Sequence, residues 1–170
     1  MPKIKKMVKS CVTSILVVCV ILLSLFYYFF IKPDVGDLVA AATHNDIAKI
    51  ERCLRSGVDV NEMSKWGWQR KINGVTPLTA ALQWGKISTI TLLIRSGANV
   101  NLQDGFGTSP ACVAARRGDP EMIKLLATAG ADFKKECNKL TPLERAKIAG
   151  HEEAVKLIEQ IILEKKLEPK

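Results

Sequence analysis

Apolar residues follow two different patterns along the chain. From Cys11 to Ile31 there are 21 residues without a charge, of which fourteen are Val, Ile, Leu or Phe. From residue 34 onwards, apolar positions instead recur three or four residues apart, in short stretches separated by Gly, Pro, Asn and Asp. The first pattern is typical of a membrane-spanning helix, and the second predicts short amphipathic helices joined by turns.

The uncharged run is long enough to cross a bilayer as a helix. Its 21 residues would extend for roughly 31 Å, which matches the thickness of the hydrocarbon core. A cleaved secretion signal has a shorter apolar core followed by a small-residue cleavage site, which this run lacks. An uncleaved signal anchor is therefore favoured over a signal peptide, and we predict a transmembrane helix over residues 11–31.

The charges that flank this run predict its orientation. Four lysines precede it, and Lys32 alone follows closely. Positive charge tends to stay in the cytoplasm, so residues 1–10 are predicted to form a basic cytoplasmic tail of a single-pass membrane protein. Residues 34–170 would then lie on the far side of the membrane, which is the periplasm in a Gram-negative bacterium and a lumen or the cell exterior in a eukaryote.

The remainder of the chain contains two interlocking motifs. The first precedes an Ala and then a Gly at fixed distances, and it occurs as Thr76-Pro77-Leu78, Ser109-Pro110-Ala111 and Thr141-Pro142-Leu143. The second begins with a glycine, at Gly57, Gly97 and Gly130. The prolines of the first series are 33 and 32 residues apart, and the second series has steps of 40 and 33. Together the two motifs resemble the ankyrin repeat, whose units carry T-P-L-H-x-A near the start and G-A-D-V-N after their second helix.

This resemblance implies the fold class and the division of the chain. The fold would be all-α, an ankyrin-repeat solenoid of about four helix-turn-helix units with hairpin loops, preceded by the transmembrane helix. The units would cover residues 34–65, 66–104, 105–137 and 138–165, and a charged tail would follow over residues 166–170. A short anchored array of this kind suits a bacterial protein.

The motif residues also have physical roles of their own. Thr or Ser before Pro starts a helix, because the hydroxyl caps it and Pro tolerates its first turn. Glycine at 85, 118 and 150 permits a tight turn between two helices, and glycine at 57, 97 and 130 suits a left-handed C-cap. The predicted second helices carry an apolar stripe made of Ile47, Ile50 and Leu54, then Ile90, Leu93 and Ile94, then Met122, Ile123 and Leu126, and last Val155 and Ile158.

The charge balance argues against a nucleic-acid-binding domain. The chain carries +8 overall, but residues 1–33 hold five lysines and no acid, which leaves 20 basic and 17 acidic side chains, or +3, over residues 34–170. That segment lacks the excess of positive charge that a phosphate backbone requires. The sequence also contains no recognisable nucleophile, metal or phosphate-binding motif, so we expect no enzyme activity, no cofactor and no small-molecule substrate.

Three cysteines lie in the repeat region: Cys53, Cys112 and Cys137. Cys53 falls at a buried position of a second helix. A bridge between Cys112 and Cys137 is conceivable in an oxidising compartment, but free thiols are the favoured interpretation.

The loop between the first two units is lengthened. Fourteen residues separate Asn61 from Thr76, against seven and six in the equivalent later stretches. The extra residues fall within 62–72, which contains Trp66, Trp68 and Arg70. Large aromatic side chains beside a guanidinium are typical of binding hot spots, although a tryptophan that folds back onto the next unit is an equally weighted alternative.

The first helices of the units place further side chains in register. His44, Trp84 and Arg117 occupy one position of successive units, and Thr43, Gln83 and Arg116 precede them by one residue. Equal positions of a solenoid align in a row, so these residues form a candidate stripe on the groove. The Arg116-Arg117 pair would suit an acidic partner surface, and an ordinary solvated helix end is the alternative.

The sequence therefore predicts a membrane-tethered adaptor without catalytic activity. Its partner would be a protein, bound through the 62–72 finger and the groove of the first helices, and its only other partner would be the membrane, through residues 11–31. The alternative is an inhibitor, such as an immunity protein that neutralises a toxin or enzyme in the periplasm.

Overall fold

The computed structural model of the chain describes residues 16–24, 33–64 and 74–167. The chain divides into two parts, an N-terminal part (residues 1–32) and a C-terminal part (residues 33–170). In the N-terminal part, the described residues form a helical segment, α1 (16–24), whose side chains are exposed.

The predicted single-pass topology is wrong. Within the described ranges, no helix is both long enough and apolar enough to cross a membrane. The remainder of the predicted span, residues 11–15 and 25–31, and the basic tail of residues 1–10 lie outside the described residues.

The C-terminal part consists of four helix pairs, one for each repeat unit, as the repeat predicts. Its eight helices are α2 (Val35–His44), α3 (Ile47–Arg55), α4 (Pro77–Trp84), α5 (Ile87–Arg95), α6 (Pro110–Arg117), α7 (Pro120–Thr128), α8 (Pro142–Ile148) and α9 (Glu152–Leu167). We call the first helix of each pair (α2, α4, α6 and α8) an inner helix and the second (α3, α5, α7 and α9) an outer helix. One antiparallel bridge between Cys137 and Leu140 closes a hairpin turn, and no strand occurs in the described part of the chain.

The predicted helix starts are confirmed. Thr76, Ser109 and Thr141 each accept a hydrogen bond from the backbone N–H three residues later, and a proline follows each of them at the first helical position. Helix α2 lacks this motif and uses Asp34 instead, whose carboxylate accepts from the backbone of Asp37. A side-chain acceptor thus replaces an intrahelical partner that the first turn cannot have.

The turns within the first three pairs require a left-handed residue. Gly85 and Gly118 have φ of 74° and 70°, and Asn45 takes the same place in the first pair with φ of 59°. Asparagine tolerates this conformation better than most residues do, because its short amide bonds locally to the backbone. The first unit therefore keeps the turn without the glycine.

Small side chains let the inner helices approach one another. Each inner helix packs on the next, and neighbouring outer helices make fewer contacts. The inner helices are therefore the more closely packed row of the array. The buried inner positions are rich in alanine (Ala41, Ala42, Ala80, Ala81, Ala114, Ala115 and Ala146), and the predicted stripes of the outer helices pack in the same core as larger side chains.

Asparagines join successive units at the end of the outer helices. The amide of Asn61 donates to the carbonyl of Gly97 over 3.1 Å and accepts from the N–H of Asn99 over 2.7 Å. Asn101 repeats this pattern one unit later, with Gly130 and Asp132 at the same distances. Each amide satisfies two backbone groups of the next unit, so these bonds fix the stacking register.

The last helix extends past the point at which the other outer helices end. Helix α9 has 16 residues, against nine in α7. Ile161 is buried, whereas Leu163 is 60% exposed. The helix continues to Leu167, so it includes the first two residues of the predicted tail; residues 168–170 lie outside the described part.

Two cysteines are paired. A disulfide joins Cys112 of α6 to Cys137 in the hairpin before α8, with their Cα atoms 6.7 Å apart. The expectation of free thiols at these positions is therefore wrong. Both residues are buried. The fold brings them together although they are 25 positions apart in the sequence. Cys53 is free and buried, as predicted.

Candidate functional site

The exposed residues of the inner helices lie mainly at their C-terminal ends. In α4 every residue from Pro77 to Leu82 is buried, and in α6 every residue from Pro110 to Ala115. In these two helices, only the last two residues reach the surface. Stacking therefore gathers these ends along one edge of the array, which we call the turn edge and which comprises Thr43, His44, Gln83, Trp84, Lys86, Arg116, Arg117 and Ile148.

Two large apolar side chains of the turn edge are open to solvent. Trp84 is 62% exposed and Ile148 is 73% exposed. Trp84 belongs to the second unit, and Ile148 stands in the fourth unit at the position that Gln83 and Arg116 occupy in theirs. Exposed aromatic and aliphatic groups on a binding-type surface are the usual anchors of an interface.

The two arginines are held against the neighbouring inner helix. The guanidinium of Arg116 donates to the side-chain oxygen of Gln83 over 2.7 Å, and that of Arg117 donates to the Gln83 carbonyl. A Cβ added to Gly85 would lie 2.6 Å from a nitrogen of Arg117, so this guanidinium rests on the turn after α4. A cation is favourable there because the carbonyl end of a helix carries partial negative charge.

Neither arginine has an acidic partner among the described residues. The ion pairs found there join Lys49 to Asp37, Arg55 to Glu51 and Lys147 to Glu159. Both arginines are exposed. A guanidinium has five N–H donors, so the bonds to Gln83 leave most of its donors available to a bound carboxylate.

The histidines have structural partners. Nδ1 of His44 lies 2.8 Å from the carbonyl of Ala40, in its own helix, although the residue remains exposed. Nε2 of His151 lies 3.1 Å from the carbonyl of Arg116, and its ring fills the space beside Gly118. His151 therefore occupies the end of α6 in the way that Arg117 occupies the end of α4.

Lysine 86 departs from the pattern of the outer helices. Asp46 caps α3 by accepting from the N–H of Lys49, and Asp119 caps α7 by accepting from the N–H groups of Glu121 and Met122. At the corresponding position before α5, Lys86 makes no side-chain cap. Sequence reasoning did not identify Lys86, although the aspartates one unit away on either side were a visible signal.

The predicted finger is described only at its base. Trp66, Trp68 and Arg70 lie outside the described residues, so their part in binding stays a prediction. At the base, the N–H of Ser64 donates to the carbonyl of Val75 over 3.0 Å, and the carbonyl of Gly74 accepts from the next hairpin. The loop therefore joins the array at the end opposite the turn edge, because the inner helix α4 separates the two.

The buried ionisable groups have structural surroundings. Burial raises the pKa of Asp104, and its carboxylate accepts from the N–H groups of Phe106 and Thr108 in a tight loop. Burial also raises the pKa of the Cys53 thiol, which keeps it in the unreactive protonated form. Across residues 16–24, 33–64 and 74–167, no group of three or more His, Cys, Asp or Glu could hold a metal ion.

Comparison with known proteins agrees with the repeat found in the sequence and the structure. A family model described as ankyrin repeats in three copies matches residues 80–166, just over half of the chain. The chain is 28% identical over 103 residues to the putative ankyrin repeat protein YahD of Escherichia coli, which covers 61% of this chain and 48% of that protein.

Two mammalian proteins are similar over shorter shares of their length. One, from Dasypus novemcinctus, is the ankyrin repeat, SAM and basic leucine zipper domain-containing protein 1, which is 29% identical over 69% of this chain and 24% of its own length. The other is Rabankyrin-5 of Mus musculus, 38% identical over 43% of this chain and 7% of its own length. The chain thus spans about half, or far less, of the length of these curated relatives.

Proposed function

The chain belongs to the ankyrin-repeat family, and from this premise we propose that it binds a partner protein along the turn edge. Members of the family generally serve as interaction modules without enzymatic activity. The observation that supports this site most strongly is Trp84, a large aromatic side chain that is 62% exposed in the middle of the row. A tryptophan left so open in a folded domain is a strong candidate for an interface anchor.

The residues around Trp84 suit this role. Arg116 and Arg117 are exposed and are oriented by their bonds to Gln83. A side chain that is already held in place loses less conformational entropy on binding. His44 and Ile148 extend the proposed surface into the first and last units, so the partner would contact the array along its length.

The lengthened loop is a second proposed contact, on sequence grounds alone. Trp66, Trp68 and Arg70 have the composition of a hot spot. A partner that contacted both this loop and the turn edge would span the inner helices. An inhibitor of a toxin or enzyme would use the same surfaces. Substitutions on these surfaces would then release the toxin or enzyme in place of an adaptor's partner.

Substitution of Trp84 tests the proposal. Full-length tagged chain carrying Trp84→Ala should lose its partner by roughly tenfold or more when it is purified from its own source cells, because truncation of an anchor removes at least 1–2 kcal/mol of binding. Leu163→Ala is the matched control, because Leu163 is 60% exposed but lies on α9, away from the turn edge.

The variants should retain the fold, since both side chains are largely in solvent. Circular dichroism should therefore give the same helix content for Trp84→Ala, Leu163→Ala and the unchanged chain. Equal recovery of the partner with both variants would contradict the turn edge as the binding surface.

A further inference from the structure

We propose that the turn edge between the second and third units binds an acidic segment of the partner protein. The proposal rests on the function proposed above and specifies the chemistry of the partner. The surface consists of the three cations Lys86, Arg116 and Arg117 around the exposed indole of Trp84.

The three cations come from two units, and both arginines contact the turn that leads to Lys86. The guanidinium of Arg117 rests against Gly85, which directly precedes Lys86 in the chain. Arg116 donates to Gln83, three residues before Lys86. Two neighbouring repeats thus contribute positive charge to one short stretch of the turn edge, next to an apolar ring.

Two aspartates of the adjoining turns have backbone partners. Asp119 accepts from Glu121 and Met122, and Asp46 accepts from Lys49, so both carboxylates serve as helix caps. No ion pair in the described part of the chain involves either arginine. No described carboxylate therefore forms an ion pair with either guanidinium, and a partner carboxylate would supply that contact.

Lys86 reduces the stability of the helix that it precedes. It provides no cap for α5, whereas aspartate caps the outer helices of the units before and after it. A lysine also places positive charge at the helix end that already carries partial positive charge. A residue that opposes local stability in two ways, on an exposed edge beside Trp84, is typical of a position used for binding.

The composition of the surface favours an acidic protein over a nucleic acid. Segment 34–170 has only a small excess of basic side chains, 20 against 17, so it lacks the extended field that a phosphate backbone requires. Trp84 and Ile148 add exposed apolar area to the edge. A surface with both cationic and apolar side chains suits a partner segment in which carboxylates alternate with apolar side chains. The arginines would bind the carboxylates, and the indole would contact the apolar side chains.

A pair of synthetic peptides tests this chemistry on the full chain. The probe is a short fluorescent peptide in which glutamate alternates with leucine, and its match carries glutamine in place of every glutamate. Fluorescence anisotropy should show the glutamate peptide bound at least tenfold more tightly, with an affinity that falls as salt is added. A labelled single-stranded oligonucleotide, the third probe, should bind more weakly than the glutamate peptide.

Variants of the chain locate the binding. Arg116→Gln should weaken the glutamate peptide roughly tenfold, whereas Arg95→Gln, which removes an exposed arginine at the end of outer helix α5, should leave its affinity unchanged. Lys86→Asp should weaken the peptide by a similar factor and raise the melting temperature by about 3 °C, because it restores the missing cap. A loss of affinity combined with a gain in stability excludes damage to the fold as the cause.

Three results would overturn the proposal: equal affinity for the glutamate and glutamine peptides, tighter binding of the oligonucleotide, or equal effects of Arg116→Gln and Arg95→Gln. None of them bears on whether Trp84→Ala loses the natural partner. Loss of that partner together with equal affinity for the two peptides would retain the binding surface and reject its acidic partner.

Discussion

At the scale of single residues, three different side chains connect successive units near the turn between inner and outer helix. Asn45 accepts from Ser88 and Thr89 of the second unit, Arg117 donates to the end of α4, and His151 contacts the carbonyl of Arg116. Arg117 and His151 thus bond to the end of the preceding inner helix, whereas Asn45 bonds to the start of outer helix α5. Different side chains thus join neighbouring units at this place in the array.

The ion pair in the first unit makes stability depend on pH. Lys49 donates to Asp37 over 2.8 Å, and this hydrogen bond is the main reason that the pKa of Asp37 lies below its ordinary value of 3.8. The stabilisation is complete above that value and is lost as the pH falls through the lower pKa of the folded chain. Both side chains are more than a third exposed, so solvent screening keeps the effect below about 1 kcal/mol.

Urea unfolding of Asp37→Asn at pH 6 and pH 3 measures this contribution. The unchanged chain should lose more stability over this interval than the variant, because the variant has no carboxylate to protonate at position 37. Asp59→Asn, a change at a carboxylate without an ion pair among the described residues, is the comparison. An equal loss in the unchanged chain and Asp37→Asn would show that the pair contributes nothing.

Sequence reasoning succeeded where a residue acts on backbone groups close to it in the chain. The caps at Thr76, Ser109 and Thr141 and the turns at Gly85 and Gly118 follow from local chemistry, and the structure has them all. It missed Ile148, whose exposure depends on what the stacked units leave uncovered. It also favoured free thiols at Cys112 and Cys137, because contact between distant residues depends on the path of a hairpin.

At the scale of elements, the disulfide attaches the hairpin before the last unit to α6. Cys112 lies in the first turn of α6. Cys137 pairs through its backbone with Leu140 across a two-residue turn, and Arg145 of α8 donates to the Cys137 carbonyl over 2.6 Å. Ser109, the cap of α6, lies 3.4 Å from the Cys137 sulfur. The bridge thus connects the start of one inner helix to the segment that leads into the next.

Alkylation under denaturing conditions without reductant tests the bridge. Iodoacetamide should modify Cys53, which is free, and leave Cys112 and Cys137 unmodified until a reductant is added. Reduction should then lower the free energy of unfolding by about 3 kcal/mol, the value expected for a closed loop of this length. Cys53 is the internal control, and alkylation of all three residues before reduction would show that the bridge is absent.

The length of α9 also belongs to the scale of elements. The repeat pattern of the sequence did not show that the helix continues to Leu167. The final turns carry Leu163 and Leu167 in solvent, and Lys165 donates to the carbonyl of Ala131 over 2.8 Å. That bond ties the extension to the preceding unit and is not visible in a hydrophobic pattern.

At the scale of the whole molecule, the repeat region separates stability from recognition. The core is formed by alanine, leucine and valine side chains of the inner helices and by larger apolar side chains of the outer helices. The ends of the inner helices contribute little to that core and carry Trp84, Arg116 and Arg117. Substitutions along the turn edge should therefore change binding more than folding.

Photo-crosslinking in living source cells tests the central claim most directly. A photoreactive benzoylphenylalanine replaces Trp84 on the turn edge in one full-length variant and Lys124, an exposed residue of outer helix α7, in another. The proposed function predicts a discrete crosslinked protein from position 84 and little or none from position 124. Crosslinks of equal yield from both positions, or from position 124 alone, would contradict binding at the turn edge.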